Sequence, residues 1–181
     1  MKITQGKFYD GAEDKIKRLG LSTLFSEVKE ILSETKVFLL EEKESNGAKP
    51  IREAIDADFE RRGGWTKKVT GGVDWIKEAH YNESVIVRLG VEIQVSTRSD
   101  LVIRDIVHLR NSLQSGEIDV GVIVVPDKYL PTFTGSRSPT WRETIKYFEE
   151  EFKEAMTFPI ALIGVEHDGA GPALPKQKRK S

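Results

Sequence analysis

The chain has no cysteine, which excludes disulfide frameworks, thiolate zinc centres and cysteine nucleophiles together. It has no apolar run near the roughly 20 residues that cross a bilayer. Met1-Lys2-Ile3-Thr4-Gln5-Gly6-Lys7 lacks the apolar stretch of a signal peptide, so a cytosolic location is expected. No glycine-rich phosphate loop, Gly-x-Ser-x-Gly elbow or dinucleotide fingerprint occurs, which argues against an unrelated small hydrolase or transferase. There is also no excess of one charge: 28 Lys+Arg against 29 Asp+Glu leave a net −1. That average neither supports nor excludes a polyanionic partner, because phosphate binding depends on where the positive charge sits.

What is present reads as one globular unit. With 181 residues, 38% of them hydrophobic, the chain can bury a core without covalent staples. Acidic residues crowd Glu41-Glu42 and Glu149-Glu150-Glu151, and basic ones gather at Arg61-Arg62, Lys67-Lys68, Arg98, Arg104 and Lys176 to Lys180. Leu24, Phe25, Val28, Ile31, Leu32, Phe38 and Leu39 recur near a 3.6 period and predict a helix over 22–44. Ile51, Ile55 and Phe59 predict a second, ended by Gly63-Gly64 before Trp65. The period then becomes two. Val73 and Trp75 flank Asp74 in a short strand-like piece, and Val85, Val87, Leu89, Val91, Ile93 and Val95 define the clearest strand, 84–95. A helix over 100–113, a buried strand at 119–125, a helix over 139–156 and a buried strand at 160–165 follow. The order predicts an α/β fold, a mixed sheet flanked by helices on both faces.

Glu92 and Gln94 break the alternation of that strand. They share a face, and burying a carboxylate and an amide unpaired costs about 2 kcal/mol or more each. A hairpin could bring Asp74 beside Glu92. Two carboxylates that close repel unless a cation lies between them, and a hard dication such as Mg²⁺ prefers such oxygens. Spacing alone favours a solvated edge-strand face over a metal site.

Asp74 followed by Glu92-Ile93-Gln94, on an αβββαβ-like order, resembles the PD-(D/E)XK nuclease core. The usual acid–x–Lys is here Glu–x–Gln, similar to restriction endonucleases of the BglII and BamHI group. Ile55 to Trp65 resembles that group's helix closing on Gly-Trp, Val73-Asp74-Trp75-Ile76-Lys77 its acidic strand, and Val91-Glu92-Ile93-Gln94-Val95-Ser96 its Glu-Val-Gln-Phe-Ser signature. Gly116 to Pro126 and Phe158 to Gly164 resemble the two later strands. The likeness covers about 46–167 as the catalytic core of a single domain over 1–170, with 1–45 as a helical N-terminal part and 171–181 as a flexible basic tail.

The resemblance implies a type II site-specific endonuclease, hydrolysing phosphodiesters in double-stranded DNA with Mg²⁺ as a homodimer. Asp74 and Glu92 would hold the metal. Gln94 would stand where the lysine usually does and orient the attacking water, although an amide cannot serve as a base near neutral pH. Glu53 is a candidate further acid and Lys77 a candidate phosphate contact. Ser96, Thr97 and Arg98 after the catalytic strand, and Ser136, Arg137 and Ser138 in the loop 127–140, are candidates for DNA reading, since arginine suits the paired acceptors of guanine. The stripes at 100–113 and 140–156 are expected at a dimer interface or in the core. A non-cleaving DNA-binding or modified-DNA-sensing module, or a repair or modification-dependent nuclease on the same fold, remains the alternative. His80 and His108 have no assignable partner, and Glu166-His167-Asp168 is expected to be structural.

Overall fold

The computed structural model describes residues 1–67, 72–96, 98, 100–135 and 137–176, and for Asp100 the backbone alone. Its centre is a pair of strands, β6 (Val120–Pro126) and β7 (Ile160–Glu166), apolar but for the terminal Glu166 and each buried along its full length. Val-Gly-Val-Ile-Val-Val and Ile-Ala-Leu-Ile have no polar face to offer solvent, so both faces must be covered. They run parallel to each other and to β5 (Ser84–Ile93). β5 turns back antiparallel into β4 (Trp75–Tyr81) through Asn82-Glu83, both at positive φ, as a two-residue hairpin requires. The short β3 (Thr66–Lys67) closes that edge, and β1 (Lys2–Phe8) closes the other, giving the order β1-β7-β6-β5-β4-β3.

Successive residues of the central strands feed two cores. Val87, Leu89, Val91, Ile93, Val122, Val124 and Ile163 face one side, where α1 (Ala12–Arg18), α2 (Ser22–Glu34) and α3 (Ala48–Arg62) supply Ile16, Val28, Ile31, Ile51, Ile55 and Phe59. Ile123, Val125, Ile160 and Leu162 face the other, against Val102, Ile106 and Leu109 of α4 (Asp100–Gln114) and Phe148. The apolar stripe of α4 is therefore spent inside the chain's own core.

Gly121 lets α4 lie close to the sheet: a Cβ there would stand 2.9 Å from Leu109 Cδ2. Gly90 beside it makes room for the segment between α4 and β6, where a Cβ would meet Ile118 at 2.7 Å. Both lie on the sheet face that carries Glu92, so the helix is drawn down toward that carboxylate.

The mixed sheet flanked by helices agrees with the sequence reading; several boundaries do not. Residues 1–45 are not wholly helical, because Lys2–Phe8 forms β1, paired with β7 from Lys2↔Glu166 to Phe8↔Ala161. Its mostly exposed Lys-Ile-Thr-Gln-Gly-Lys-Phe carries the weak pattern of an edge strand. The helix predicted over 22–44 stops at Glu34, where Thr35 turns its hydroxyl back onto the Ile31 carbonyl at 2.9 Å and leaves helical geometry. Phe38–Leu39 then pairs with Gly169–Ala170 as a separate two-stranded sheet, β2 with β8. The helix predicted over 139–156 is broken into α6 (Trp141–Lys146), started by a Thr140/Glu143 capping box, a wider turn over Tyr147–Glu151, and a 3-10 segment Lys153–Thr157. α5 (Leu130–Thr134) fills part of the loop read as irregular.

Candidate active site

β5 ends on Glu92-Ile93, and β4 begins one residue after Asp74. Trp75 pairs with Val91, and this register brings Asp74 alongside the end of β5, where its Oδ2 accepts the Ile93 N–H at 2.8 Å. Asp74 and Glu92 are thus brought together as the sequence suggested. The contact is close enough for the Asp74 charge to act on Glu92 directly.

The other two walls come from helices. From α3, Arg52 reaches round the sheet end: Nη2 meets Asp74 Oδ1 at 2.8 Å and Nη1 donates to the Ile93 carbonyl at 2.8 Å. Asp56, one turn on, holds Arg52 Nε at 3.0 Å and also accepts from Trp75 Nε1 at 3.0 Å and Lys67 Nζ at 3.1 Å. From α4, Asp105 and His108 face Glu92, with His108 Nδ1 3.2 Å from Glu92 Oε1. One potential ligand atom from each of Glu92, Asp105 and His108 lies within 4.8 Å of the others.

Electrostatics follow from burial. Glu92 is 2% exposed, and burial, the Asp74 and Asp105 charges and a hydrogen bond to Asp74 that only the acid form can donate push its carboxyl up to about 11. Without a cation it is a neutral acid at physiological pH. Asp105, 1% exposed, is raised to about 6, chiefly by burial, with Arg104 opposing and Asp74 assisting. Burial and the Arg104 charge lower His108, which leaves a neutral imidazole with a lone pair to offer. Three carboxyl groups thus converge at one point, two of them held off their ordinary ionisation, and their oxygens form a donor set suited to a cation.

Gln94 is buried, and its Nε2 donates to Ser96 Oγ at 2.7 Å and the Arg98 carbonyl at 3.2 Å, which fixes the amide and the turn together. Arg98 is exposed beyond it. The structure does not bring Glu53 into the cluster: it is exposed on α3 and paired with Lys49 at 3.3 Å. Nor does it bring Lys77, whose ammonium lies on Glu27 at 2.8 Å and on the Gly63 carbonyl at 3.1 Å. Arg137 is exposed in the loop before α6, whereas Ser138 is buried, with its Oγ 3.3 Å from Thr134 Oγ1. Thr97 and Ser136, like Lys68 and residues 177–181 of the tail, lie outside the described residues.

Sequence reasoning missed Arg52, Asp56, Asp105 and His108. A signal existed for each pair. Arg52 and Asp56 stand at i,i+4 and Asp105 and His108 at i,i+3, so each pair shares one helix face. Glu166 is structural, as expected: its carboxylate accepts the N–H groups of Lys128 at 2.7 Å, Tyr129, and Leu130 at 3.0 Å.

Comparison with known proteins agrees with this geometry. The family described as "Restriction endonuclease BglII/BglIII" matches residues 7–165. The Type II restriction enzyme BamHI of Bacillus amyloliquefaciens is 29% identical over 146 residues, covering 75% of this chain and 67% of the relative. The crystal structure of free BglII superposes with a TM-score of 0.56 at 18% identity, over 93% of this chain and 81% of that one, a likeness of fold. With the family match running over residues 7–165, the chain is a member of the BglII/BglIII restriction endonuclease family, a type II deoxyribonuclease of the BglII and BamHI group.

Proposed function

We propose that this endonuclease hydrolyses phosphodiester bonds in double-stranded DNA with Mg²⁺ held by Asp74 and Glu92, acting as a homodimer. The observation that carries the reading is the Asp74 Oδ2 to Ile93 N–H bond, which locks the two carboxylates at one point on a chain with this family's order of elements. The donors there fit a hard dication: they are carboxylate oxygens beside a main-chain carbonyl, and a guanidinium already occupies the position between Asp74 and Ile93. Bound Mg²⁺ would supply a water of lowered pKa and charge stabilisation at the phosphoryl oxygens.

The chain's own residues do the rest. Glu92 would have to be ionised to hold the cation, since a metal ligand must be deprotonated. Gln94, held through Nε2, orients a water without taking its proton, so deprotonation falls outside the side-chain amides. Arg52, held on Asp74 and the Ile93 carbonyl, would offer its guanidinium to a phosphate bound beside them. Arg98 and Arg137, on exposed segments, suit contacts with phosphates or guanine edges. Two copies about a two-fold axis would cut both strands of a symmetric site.

The test is cleavage of plasmid and phage DNA with Mg²⁺, with EDTA, and with the Glu92→Ala and Glu53→Ala variants. Discrete fragments that vanish with EDTA and with Glu92→Ala are expected, and their ends give the site. Glu53→Ala is expected to cut if its exposed pairing with Lys49 is its only task. Fragments that persist in EDTA, or a protein that shifts DNA in a gel without cutting it, would overturn the reading.

A further inference from the structure

The position held by Asp74 and Glu92 is not the only place where a cation fits. On the far side of Glu92, Asp105 and His108 project from one face of α4, in the sequence Asp105-Ile106-Val107-His108. An i,i+3 pair of this kind aims an oxygen and a nitrogen at one point. The point is Glu92, whose Oε1 lies 3.2 Å from His108 Nδ1. Ligand atoms of all three residues lie within 4.8 Å of one another, a separation that a single ion can span by small rotamer shifts. Glu92 and Asp105 are buried, while the imidazole is partly exposed and forms the side open to solvent. Gly121 sets this arrangement, because it allows Leu109, adjacent to His108, to sit hard against the sheet.

Charge points the same way. Arg52 is committed to Asp74, Asp56 and the Ile93 carbonyl. Arg104 reaches Asp105 from outside, at 3.2 Å and with its own side chain more than half exposed. The face of Glu92 turned toward α4 therefore meets an imidazole and a second carboxylate. A mixed set of one nitrogen and two oxygens is poorly matched to Mg²⁺ and well matched to borderline first-row dications, which accept imidazole readily.

We propose that Glu92, Asp105 and His108 form a second cation seat, separate from the Asp74 side and sharing Glu92 with it, and that it takes a borderline transition-metal dication such as Co²⁺, Mn²⁺ or Zn²⁺. The seat extends the nuclease reading by naming a second ion class at the same carboxylate. It is tested without DNA, so its failure leaves the cleavage result standing and the converse also holds.

The experiment is titration of the metal-stripped full chain with Co²⁺, followed by visible absorption and calorimetry, for the wild type and for His108→Ala, His108→Gln, Asp105→Asn, Asp74→Asn and His80→Ala. Thermal melts of each variant check folding. The expected result is one Co²⁺ site whose affinity falls about tenfold or more in both His108 variants and in Asp105→Asn, in line with loss of one ligand. Asp74→Asn and His80→Ala are expected to retain Co²⁺ binding, and Mg²⁺ is expected not to compete at equal concentration. Unchanged Co²⁺ affinity in folded His108→Gln overturns the proposal, because the ion then sits elsewhere, for example at His167 between Glu166 and Glu41. Loss of Co²⁺ in Asp74→Asn to the same degree as in His108→Gln also overturns it, because one seat on the Asp74 side would then account for all binding.

Discussion

Replacing Glu92 by glutamine should make the protein more stable while removing its activity. In the metal-free protein the Glu92 carboxyl is raised from its ordinary 4.5 to about 11, first by burial and then by Asp74 and Asp105. The unfolded chain ionises near 4.5 and the folded one does not. The folded state therefore holds the extra proton, and its stability is greatest below 4.5. Stability then drains away as pH climbs toward 11, by about 1.4 kcal/mol per pH unit. At pH 7.5, about three units above the ordinary value, the accumulated penalty has a ceiling of about 4 kcal/mol. Glutamine has nearly the same shape, never ionises, and its amide can donate to Asp74 as the protonated acid does. It still has an amide to bury, a pH-independent cost of about 1–2 kcal/mol, so the expected gain is about 2–3 kcal/mol at pH 7.5, turning into a loss of about 1 kcal/mol at pH 4.5. Urea unfolding in EDTA across pH 5–8 measures it, read as midpoint shifts at constant slope. Equal pH slopes for wild type and Glu92→Gln, or a variant less stable than wild type at pH 7.5, would refute the assignment of a buried, proton-bearing acid.

Three further outcomes follow from named contacts. Arg52→Ala removes the partner of Asp74, of Asp56 and of the Ile93 carbonyl at once, and should cost about 2–3 kcal/mol by urea unfolding; a loss under about 0.5 kcal/mol would mean that water replaces the guanidinium freely. Gly90→Ala would force a Cβ to within 2.7 Å of Ile118 Cδ1 and 3.2 Å of Val73 Cγ2. The expected cost is about 1–3 kcal/mol, read as a lowered melting temperature, and an unchanged melt would show that Ile118 can swing aside. Glu166→Ala orphans the N–H groups of Lys128, Tyr129 and Leu130 and should cost about 2–4 kcal/mol, with fast amide exchange at those three positions as its local signature.

The parts of the fold that were legible in the sequence are those buried on both sides. Val120–Pro126 and Ile160–Glu166 have no polar residue to confuse the pattern except the terminal Glu166, and α3 and α4 carry clean stripes. Edge elements were not legible. Lys2–Phe8 is mostly exposed, so solvent relaxes the demand for alternating hydrophobicity and pairing with a neighbour decides the strand; of Trp75–Tyr81 only the start, around Trp75, was readable. The break at Thr35 was hidden because Phe38 and Leu39 fall in helical phase with Ile31 by chance, while the chain had already turned. For the site, Asp74, Glu92 and Gln94 were readable because a polar pair interrupts an apolar strand. Arg52, Asp56, Asp105 and His108 were not, because each sits on a helix where charged residues are ordinary and only the tertiary fold reveals which face meets the sheet end. Lys77 and Ser138 have polar groups at suggestive places in the sequence, and in the fold these groups are bonded to Glu27 and to Thr134.

The strand order also sets a timetable. β1 is made first but pairs only with β7, the last strand of the large sheet, and β6 waits for the same partner on its other side. Every element that contributes to the catalytic cluster lies between Ala48 and Gln114. Residues 115–166 follow over about 3–10 s at about 5–20 residues per second. Through that interval the carboxylates have been synthesised while the sheet that fixes Glu92 still lacks its middle, with strand edges open to the wrong neighbours. Because β1 and β6 both dock on β7, a chain that has not reached Glu166 should not assemble the sheet that fixes Glu92, and one stalled short of β7 should aggregate rather than digest.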